Sequence, residues 1–330
     1  MQNKESLSRI LKINLKDIHP LKGDASDRKY FRIETSRGKS IVAMVQDSPF
    51  DKSLPFIQTQ AFLKRNTISV PDIIEINYRD GIILLSDCGD NSLGVILEKE
   101  GFENCIMPYA KCVDELLKIH SLKDDGKSGD IFKLAFDHDK LMWELEFFVK
   151  HTLEGYFSIK LNKKDLRILL QRFSDICGIL EKEPKVVTHR DYHSRNIFLK
   201  DGKIYLLDFQ DARLGPRQYD LCSLLRDSYF LLPAQSRERL IYYYLDKACI
   251  PLSDFTRFFK IFDIMSFQRN LKAAGTFGYM SVIKNKKTYA KYLPRTFNYI
   301  WEYSRNHDEL KEAAEILKKY IGIRIEKCRQ

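Results

Sequence analysis

The sequence predicts an α+β protein with two lobes, a small β-rich lobe over residues 1–88 and a large α-helical lobe over residues 89–330. Two observations support this prediction. Short strand-like segments separated by turn signals fill the first ninety residues, whereas apolar residues at helical spacing dominate the chain after them. Hydrophobic residues make up 44% of the chain and aromatic residues 12%, as in a globular protein with a substantial core.

The small lobe is predicted to be an antiparallel sheet with one main helix. Four strand-like segments carry the sheet, at residues 29–34, 40–45, 72–77 and 81–85. Ser36-Arg37-Gly38 is the expected turn of the first hairpin, and Tyr78-Arg79-Asp80-Gly81 that of the second. The helix is expected at residues 55–65, because Pro55 suits a first helical turn.

The large lobe is predicted from apolar residues that recur every three or four positions. The clearest helical segments are residues 109–120, 141–153, 166–180 and 307–320. Most of the chain beyond residue 222 also has helical character. A small sheet followed by many helices predicts that a nucleotide binds in the seam between the two lobes.

Composition limits the classes of function. The formal net charge is +10, but the basic residues are dispersed, so we expect anionic nucleotides and substrates rather than nucleic acid as partners. The N-terminal residues lack the apolar region of a signal peptide, and no apolar run is long enough to cross a bilayer. The seven cysteines are scattered without a C-x-x-C pair. The expectation is a cytoplasmic protein with no membrane contact and no obligate protein partner.

The stretch from Thr188 to Asp208 carries the chemistry. Transfer of a phosphoryl group from ATP to an alcohol needs a carboxylate that accepts the hydroxyl proton, and oxygen ligands for Mg²⁺. Asp191 and Asn196, spaced D-x-x-x-x-N, and Asp208 after an apolar strand can converge to supply them. The alternative is structural: a helix cap, a turn residue and a strand end. The three residues in this order favour an ATP- and magnesium-dependent kinase.

This stretch resembles the protein-kinase-like superfamily, and within it the aminoglycoside and choline phosphotransferase family. The strings from His189 to Asn196, from Asp208 to Ala212 and from Tyr219 to Asp227 look like those of bacterial anomeric sugar kinases. The likeness extends to residues 23–32, 84–90, 144–148 and 268–272. The resemblance implies a bilobal protein-kinase-like fold. It also implies phosphorylation of the anomeric hydroxyl of N-acetylmuramate or N-acetylglucosamine in peptidoglycan recycling.

The resemblance assigns roles in the catalytic stretch: Asp191 as the catalytic base, His193 near the transferring phosphate, and Asn196 and Asp208 as magnesium ligands. A loop histidine that bonds to the backbone is an equally good interpretation of His193. Asp220 is expected to hold the loop by binding backbone amides or Arg190. His189 is expected to brace the loop through its ring nitrogens.

Nucleotide contacts are implied in two segments: Gly23, Ala25, Ser26 and Arg28 in a loop over the phosphates, and Leu85, Ser86 and Cys88 in a hinge that pairs with adenine. The loop has a single glycine, so an ordinary hairpin turn is the alternative. Met44 stands where many related kinases have a phosphate-binding lysine. Arg28, Lys29 and Arg32 are the candidates for the replacing cation, against the alternative that they are solvated strand residues.

The acceptor is predicted to contact Gln210, Asp211, Arg226, Gln268 and Arg269. An internal network is an equally good interpretation of Arg226. The distal part of the chain is not notably acidic, which suits a neutral or anionic sugar better than a polycationic aminoglycoside. Two alternatives stay open. One is a kinase of another small molecule, such as an aminoglycoside, choline or a different sugar, and the other is a non-catalytic nucleotide-binding module.

Overall fold

The computed structural model describes residues 2–21, 28–35 and 38–327. The small lobe contains a five-stranded antiparallel sheet in the order β1-β2-β3-β5-β4. The strands are β1 (Ile18–Leu21), β2 (Lys29–Glu34), β3 (Ser40–Val45), β4 (Ile73–Asn77) and β5 (Ile82–Ser86). All four predicted strands are confirmed. Residues 36 and 37 of the first predicted turn lie outside the described residues.

A helix covers each face of the sheet. Helix α2 (Pro55–Arg65) begins at the predicted proline and packs on the face that carries Met44 and Ile83. Helix α1 (Gln2–Leu11), which the sequence pattern does not predict, places Leu7 on the opposite face. This helix is short and mostly polar, and its apolar residues all fall in its second half. Its packing against the sheet stabilises it.

The rest of the chain is mainly helical, as predicted. The helices are α3 (Leu93–Glu100), α4 (Ile106–His120), α5 (His138–Phe148), α6 (Lys163–Leu180), α7 (Gln218–Leu225), α8 (Ala234–Lys247), α9 (Phe255–Val282), α10 (Leu293–Ser304) and α11 (Asp308–Lys327). Helix α5 continues into a π-helical segment, Val149–Tyr156, where a single α-helix was predicted. The predicted division at residue 88 falls between β5 and α3. One apolar core extends across it, since Met44 packs in the same cluster as the helices.

Two small two-stranded sheets flank the predicted catalytic stretch. Strand β6 (Lys185–Thr188) pairs with β9 (Arg213–Pro216), and β7 (Ile197–Lys200) pairs with β8 (Lys203–Leu206). The loop that contains Asp191 and Asn196 joins β6 to β7, and Asp208 follows β8 by two residues. The pairing of β7 with β8 therefore brings Asp208 back to the end of the loop that carries Asn196.

Helix α9 runs through the helical lobe and packs closely on α5 and its π-helical continuation. A Cβ at Gly275 would lie 2.9 Å from the Cα of Phe148, and a Cβ at Gly278 would collide with Thr152 and with the carbonyl of His151. The Thr152 hydroxyl donates to the carbonyl of Ala274 at 2.6 Å. Glycine is required here because the two backbones touch. Among the described residues, no helix is both long and apolar enough to span a bilayer.

Candidate active site

A buried carboxylate holds the loop between β6 and β7. Asp220, in the first turn of α7, accepts hydrogen bonds from the backbone N–H groups of His189 at 2.5 Å and Arg190 at 2.9 Å. This confirms the predicted role of Asp220. Burial raises the pKa of Asp220 to about 7, although the two N–H bonds stabilise its charged form. The carboxylate of Asp227 holds the N–H of Ser194 further along the loop, at 2.9 Å.

The carboxylate of Asp191 faces cations from α9. The Nζ atom of Lys272 lies 2.6 Å from Oδ1 of Asp191, and Nη2 of Arg269 lies 3.8 Å from the same oxygen. Burial alone would raise the pKa of Asp191, but Lys272, Arg190 and Arg269 together hold it well below its usual range. The group that would act as the base is therefore a charged carboxylate at neutral pH, fixed by one of its two oxygens.

Asn196 and Asp208 lie next to Asp191. The side-chain amide of Asn196 donates to the backbone carbonyl of Asp191 at 3.0 Å, which leaves its oxygen as the atom that could bind a metal. The N–H of Leu207 donates to the carbonyl of Asn196 at 2.9 Å, which ties the end of β8 to the loop. Asp208 has a left-handed backbone (φ +63°), as befits a turn that directs its carboxylate.

The carboxylate of Asp208 suits a cation. It is open to solvent on one side and enclosed by protein on the others, and this enclosure and the charge of Asp191 raise its pKa. Among the described residues, no three His, Cys, Asp or Glu side chains could hold a metal by themselves. Magnesium keeps several waters and takes phosphate oxygens as ligands, so one carboxylate and one amide oxygen fit it. Asn196 and Asp208 would be the protein ligands.

The two histidines of the loop are neutral. Burial lowers the pKa of His193 to about 3 and that of His189 to about 4. The ring of His193 packs edge-on against Tyr229, with ring centroids 5.1 Å apart. Neither ring nitrogen of His189 has a hydrogen-bond partner of normal geometry among the described residues. The ring interacts with the backbone of Leu207 at the end of β8, and the backbone N–H of His189 binds Asp220. That His189 braces the loop through its ring stays a prediction.

The sheet contributes an apolar wall. Met44 is fully buried and lies opposite Tyr30 in the β2–β3 register. Burial raises the pKa of Tyr30, Arg28 lowers it and Asp208 raises it, which places this tyrosine near both charges. The guanidinium of Arg28 lies 5.9 Å from the ring of Phe56, which in turn packs on Phe209 at 4.9 Å. Arg28 is thus next to the segment that carries Asp208.

The other candidate cations of the sheet bind carboxylates elsewhere. Arg32 contacts Asp87 at 2.6 Å and Asp90 at 2.8 Å, and Lys29 lies 3.3 Å from Asp47. Predicted nucleotide contacts at Gly23, Ala25 and Ser26 lie outside the described residues. Leu85 and Ser86 end β5, and Cys88 is buried just after them, where burial raises its thiol pKa to about 12.

Of the five predicted acceptor residues, Arg269 faces Asp191, and the other four divide into two groups. Gln210 donates to Asp208 at 2.7 Å and Asp211 pairs with Arg190 at 3.0 Å, so both lie beside the loop and the turn that carry the candidate site. Arg226 and Gln268 belong to buried networks. Arg226 binds Asp263 at 2.6 Å, and Gln268 donates to Glu144 at 3.1 Å. These contacts favour the internal-network interpretation of Arg226.

The sequence analysis does not predict that Lys272 contacts Asp191 or that Glu144 lies beside Arg190. Lys272 is separated from Asp191 by 81 residues, and only the path of α9 past the loop brings them together. Glu144 is completely buried, 3.9 Å from Nε of Arg190. A signal was present, since both residues fall within the strings that carry the family resemblance. No spacing rule connects those strings to Asp191.

A sheet-based wall over a loop of the D-x-x-x-x-N type, with a second aspartate after the next hairpin, defines a phosphotransferase of protein-kinase-like fold. The family model described as the phosphotransferase enzyme family (APH) matches residues 17–259, and the chain belongs to this family. The chain is accordingly a small-molecule phosphotransferase.

Curated relatives and a solved structure agree with this class. Proteins named N-acetylmuramate/N-acetylglucosamine kinase, from Neisseria meningitidis serogroup B and Pseudomonas aeruginosa, are each 29% identical to the chain. Both alignments cover 91% of this chain, with 89% and 88% of the relatives respectively. The aminoglycoside phosphotransferase APH(2″)-Ib, solved with ADP bound, superposes with a TM-score of 0.58 at 15% identity, over 96% of this chain and 98% of that one. This last likeness concerns the fold.

Proposed function

We propose that the protein transfers the γ-phosphoryl group of ATP to the anomeric hydroxyl of a cell-wall amino sugar, N-acetylmuramate or N-acetylglucosamine or both. The names of the curated relatives support this acceptor. The observation that carries the proposal is the cationic surrounding of the base, with Lys272 and Arg269 on the carboxylate of Asp191. An acceptor that is neutral or anionic suits such a site, whereas a polycation would be repelled.

In this proposal Asp191 accepts the proton of the acceptor hydroxyl. The acceptor oxygen forms a bond to the γ-phosphorus of ATP, the bond from that phosphorus to the β,γ-bridging oxygen breaks, and ADP leaves. Lys272 holds Oδ1 of Asp191, so that Oδ2 is the oxygen that receives the proton. A weak, fixed base is adequate because phosphoryl transfer depends mainly on positioning and electrostatic stabilisation.

Magnesium would be held by the amide oxygen of Asn196 and the carboxylate of Asp208. When bound, it would neutralise charge on the nucleotide phosphates. The raised pKa of Asp208 supports this role, since a carboxylate next to the negative charge of Asp191 is stabilised by a cation. Arg28 would contact the phosphates, and the backbone from Leu85 to Cys88 would face adenine. The reaction would take place in the cytoplasm, as a step of peptidoglycan recycling.

An acceptor panel tests the proposal. ADP release is measured with N-acetylmuramate, N-acetylglucosamine, kanamycin and choline, and the product is examined by ³¹P NMR and for loss of its reducing end. Phosphorylation at the anomeric position should abolish the reducing end of the amino sugars. Turnover with kanamycin or choline alone would favour the second kinase interpretation. No turnover with any acceptor would favour a nucleotide-binding module.

Asp191→Asn separates the mechanism from the identity of the acceptor. Turnover should fall by about 10³-fold, because the variant keeps the shape of the side chain and loses the base. ATP binding, measured by calorimetry, should stay within about threefold of the wild-type value. Full turnover in this variant would show that Asp191 is not the base.

A further inference from the structure

Helix α9 leaves one partly exposed stripe beside the catalytic aspartate. Most residues from 258 to 281 are buried, whereas Lys272, Thr276 and Tyr279 are not fully covered. These three positions are spaced four and three residues apart and therefore share one face of the helix. The stripe begins at the ammonium group that contacts Asp191 and extends away from it.

Helix α5 presents a matching stripe. Lys140, Trp143 and Phe147 are partly or largely accessible at positions three and four residues apart. The ring of Phe147 lies 5.6 Å from that of Tyr279 and 5.4 Å from that of Trp143. The indole of Trp143 is 49% exposed, which is unusual for the largest apolar side chain on a helix that is otherwise well packed. The two stripes meet through these aromatic rings.

Lys140 is the unbalanced charge of this surface. Its Nζ lies 3.8 Å from the centroid of the Trp143 ring, and none of the described carboxylates is within ion-pair distance of it. Burial and the charges of Arg190, Arg213 and Lys272 lower the pKa of Lys140 to about 8, opposed by Glu144. A half-buried ammonium group that lies over an exposed indole and has no ion-pair partner in the described part of the chain is available to bind an anion.

We propose that Lys140 and Trp143 form the acceptor-recognition site, in which Lys140 binds the carboxylate of an acidic amino sugar and the indole of Trp143 packs against the sugar ring. This inference rests on the proposed function, because it assumes that the acceptor reaches Asp191 along the α5–α9 surface. It adds the residues that distinguish a carboxylate-bearing amino sugar from its neutral counterpart.

The chemistry of the two candidate sugars makes the inference specific. N-acetylmuramate carries a lactyl carboxylate that N-acetylglucosamine lacks, and the two sugars share the rest of the ring. An ammonium–carboxylate contact is therefore available to one and not to the other. The indole face can cover the apolar side of either ring, so Trp143 contributes to both. Lys140 sets the preference between the sugars, and Trp143 sets the affinity for both.

The test compares Lys140→Met with Lys140→Arg on the two sugars. Lys140→Met should raise the KM for N-acetylmuramate about tenfold or more and change the KM for N-acetylglucosamine less than twofold. Lys140→Arg should restore most of the difference. Lys150→Met is the matched control, since Lys150 is an exposed lysine that follows α5, and it should affect neither sugar. Equal changes for both sugars, or none, would overturn the assignment of Lys140.

Tryptophan fluorescence gives a readout that needs no catalysis. The chain has two tryptophans, Trp143 and Trp301, so Trp301→Phe leaves Trp143 as the single reporter. Titration with either sugar should change its emission, and Lys140→Met in this background should weaken the N-acetylmuramate titration selectively. Trp143→Ala should raise the KM for both sugars about tenfold. An emission unaffected by both sugars would overturn the assignment of Trp143.

The experiments distinguish failure of the proposed function from failure of the Lys140–Trp143 site. If wild-type protein phosphorylates neither sugar, the proposed function is wrong, and the fluorescence titrations alone decide the inference. N-acetylmuramate binding that depends on Lys140 would then support a carboxylate site without kinase activity towards this sugar. Absence of such binding would overturn the site as well.

Discussion

The candidate site has two walls. The loop wall carries Asp191 and the sheet wall carries Met44, and the two differ in how their charged side chains are arranged. On the loop wall, Lys272 and Arg269 gather around one carboxylate, that of Asp191. On the sheet wall, the central position is the fully buried Met44, and the cations Lys29 and Arg32 are paired with carboxylates elsewhere. Lys272 and Arg269 thus place positive charge beside Asp191, the proposed base. The usual lysine of the nucleotide side has no equivalent on β3.

Removing Lys272 should have the largest effect among single changes to the two walls. Lys272→Met frees Oδ1 of Asp191 and leaves a buried carboxylate with less compensation, so kcat should fall about 10²- to 10³-fold. The KM for ATP should change less than about threefold, because the contact is to the base. Steady-state kinetics with both substrates varied measure the split.

Two controls sharpen this comparison of the walls. Lys272→Arg keeps the charge and should recover part of kcat, whereas Met44→Leu changes the apolar wall conservatively and should alter kcat less than about threefold. If Met44→Leu reduced kcat as much as Lys272→Met does, the charge of Lys272 would not be what distinguishes the loop wall from the sheet wall. Circular dichroism and thermal unfolding establish that each variant is folded.

Replacing Arg28 should have a smaller effect than replacing Lys272, and the effect should be on nucleotide binding rather than on kcat. Arg28→Met should raise the KM for ATP about tenfold with kcat changed less than threefold, because Arg28 is the sheet-wall cation near Tyr30 and Asp208. Lys29→Met is the neighbouring control. Lys29 is half exposed and paired with Asp47, so its loss should change the KM for ATP less than twofold. Equal effects of the two variants would contradict this assignment.

The smallest expected difference between the two walls is in how acid changes the unfolding free energy. The pKa of buried His189, on the loop wall, is lowered to about 4, so the unfolded chain binds its proton more readily than the folded one. The stability that this neutral histidine contributes is present above about pH 6.5 and is lost as the pH falls towards 4. Between pH 7 and pH 5 the loss for this one group is about 2 kcal/mol.

His189→Gln should therefore lose about 2 kcal/mol less unfolding free energy than the wild type between pH 7 and pH 5, measured by urea denaturation. His19→Gln is the control on the sheet, because the His19 side chain is 52% exposed. This variant controls for the same substitution at an exposed position. The comparison uses differences between variants because Asp220, whose pKa is raised to about 7, acts in the opposite sense over the same range.

The sequence contains enough information to find the proposed catalytic loop but not the residues that pack around it. Asp191 and Asn196 are five residues apart and Asp208 follows one hairpin later, so local rules place all three together. The β2 and β3 strands are equally local and are predicted residue for residue. Contacts within a hairpin or a short loop need no knowledge of how distant elements pack.

Long-range packing accounts for what the sequence leaves out. Lys272 reaches Asp191 only because α9 passes the loop, and no pattern within α9 distinguishes Lys272 from a solvated lysine. Helix α1 is stabilised by its contact with the sheet rather than by its own propensity. The π-helical segment after α5 lies against α9, a neighbour more than a hundred residues away in the chain.

Because Gly275 and Gly278 have no side chains, α9 can approach the backbone of the segment after α5. Because the helix rests on the backbone of the segment after α5, its position is defined by main-chain atoms that cannot change rotamer. Lys272 is less than one turn before the first of these glycines. A single added methyl group at either glycine, on the face of α9 that contacts the segment after α5, would therefore displace the helix. The distance between ammonium and carboxylate would lengthen with it, although no charged group had been altered.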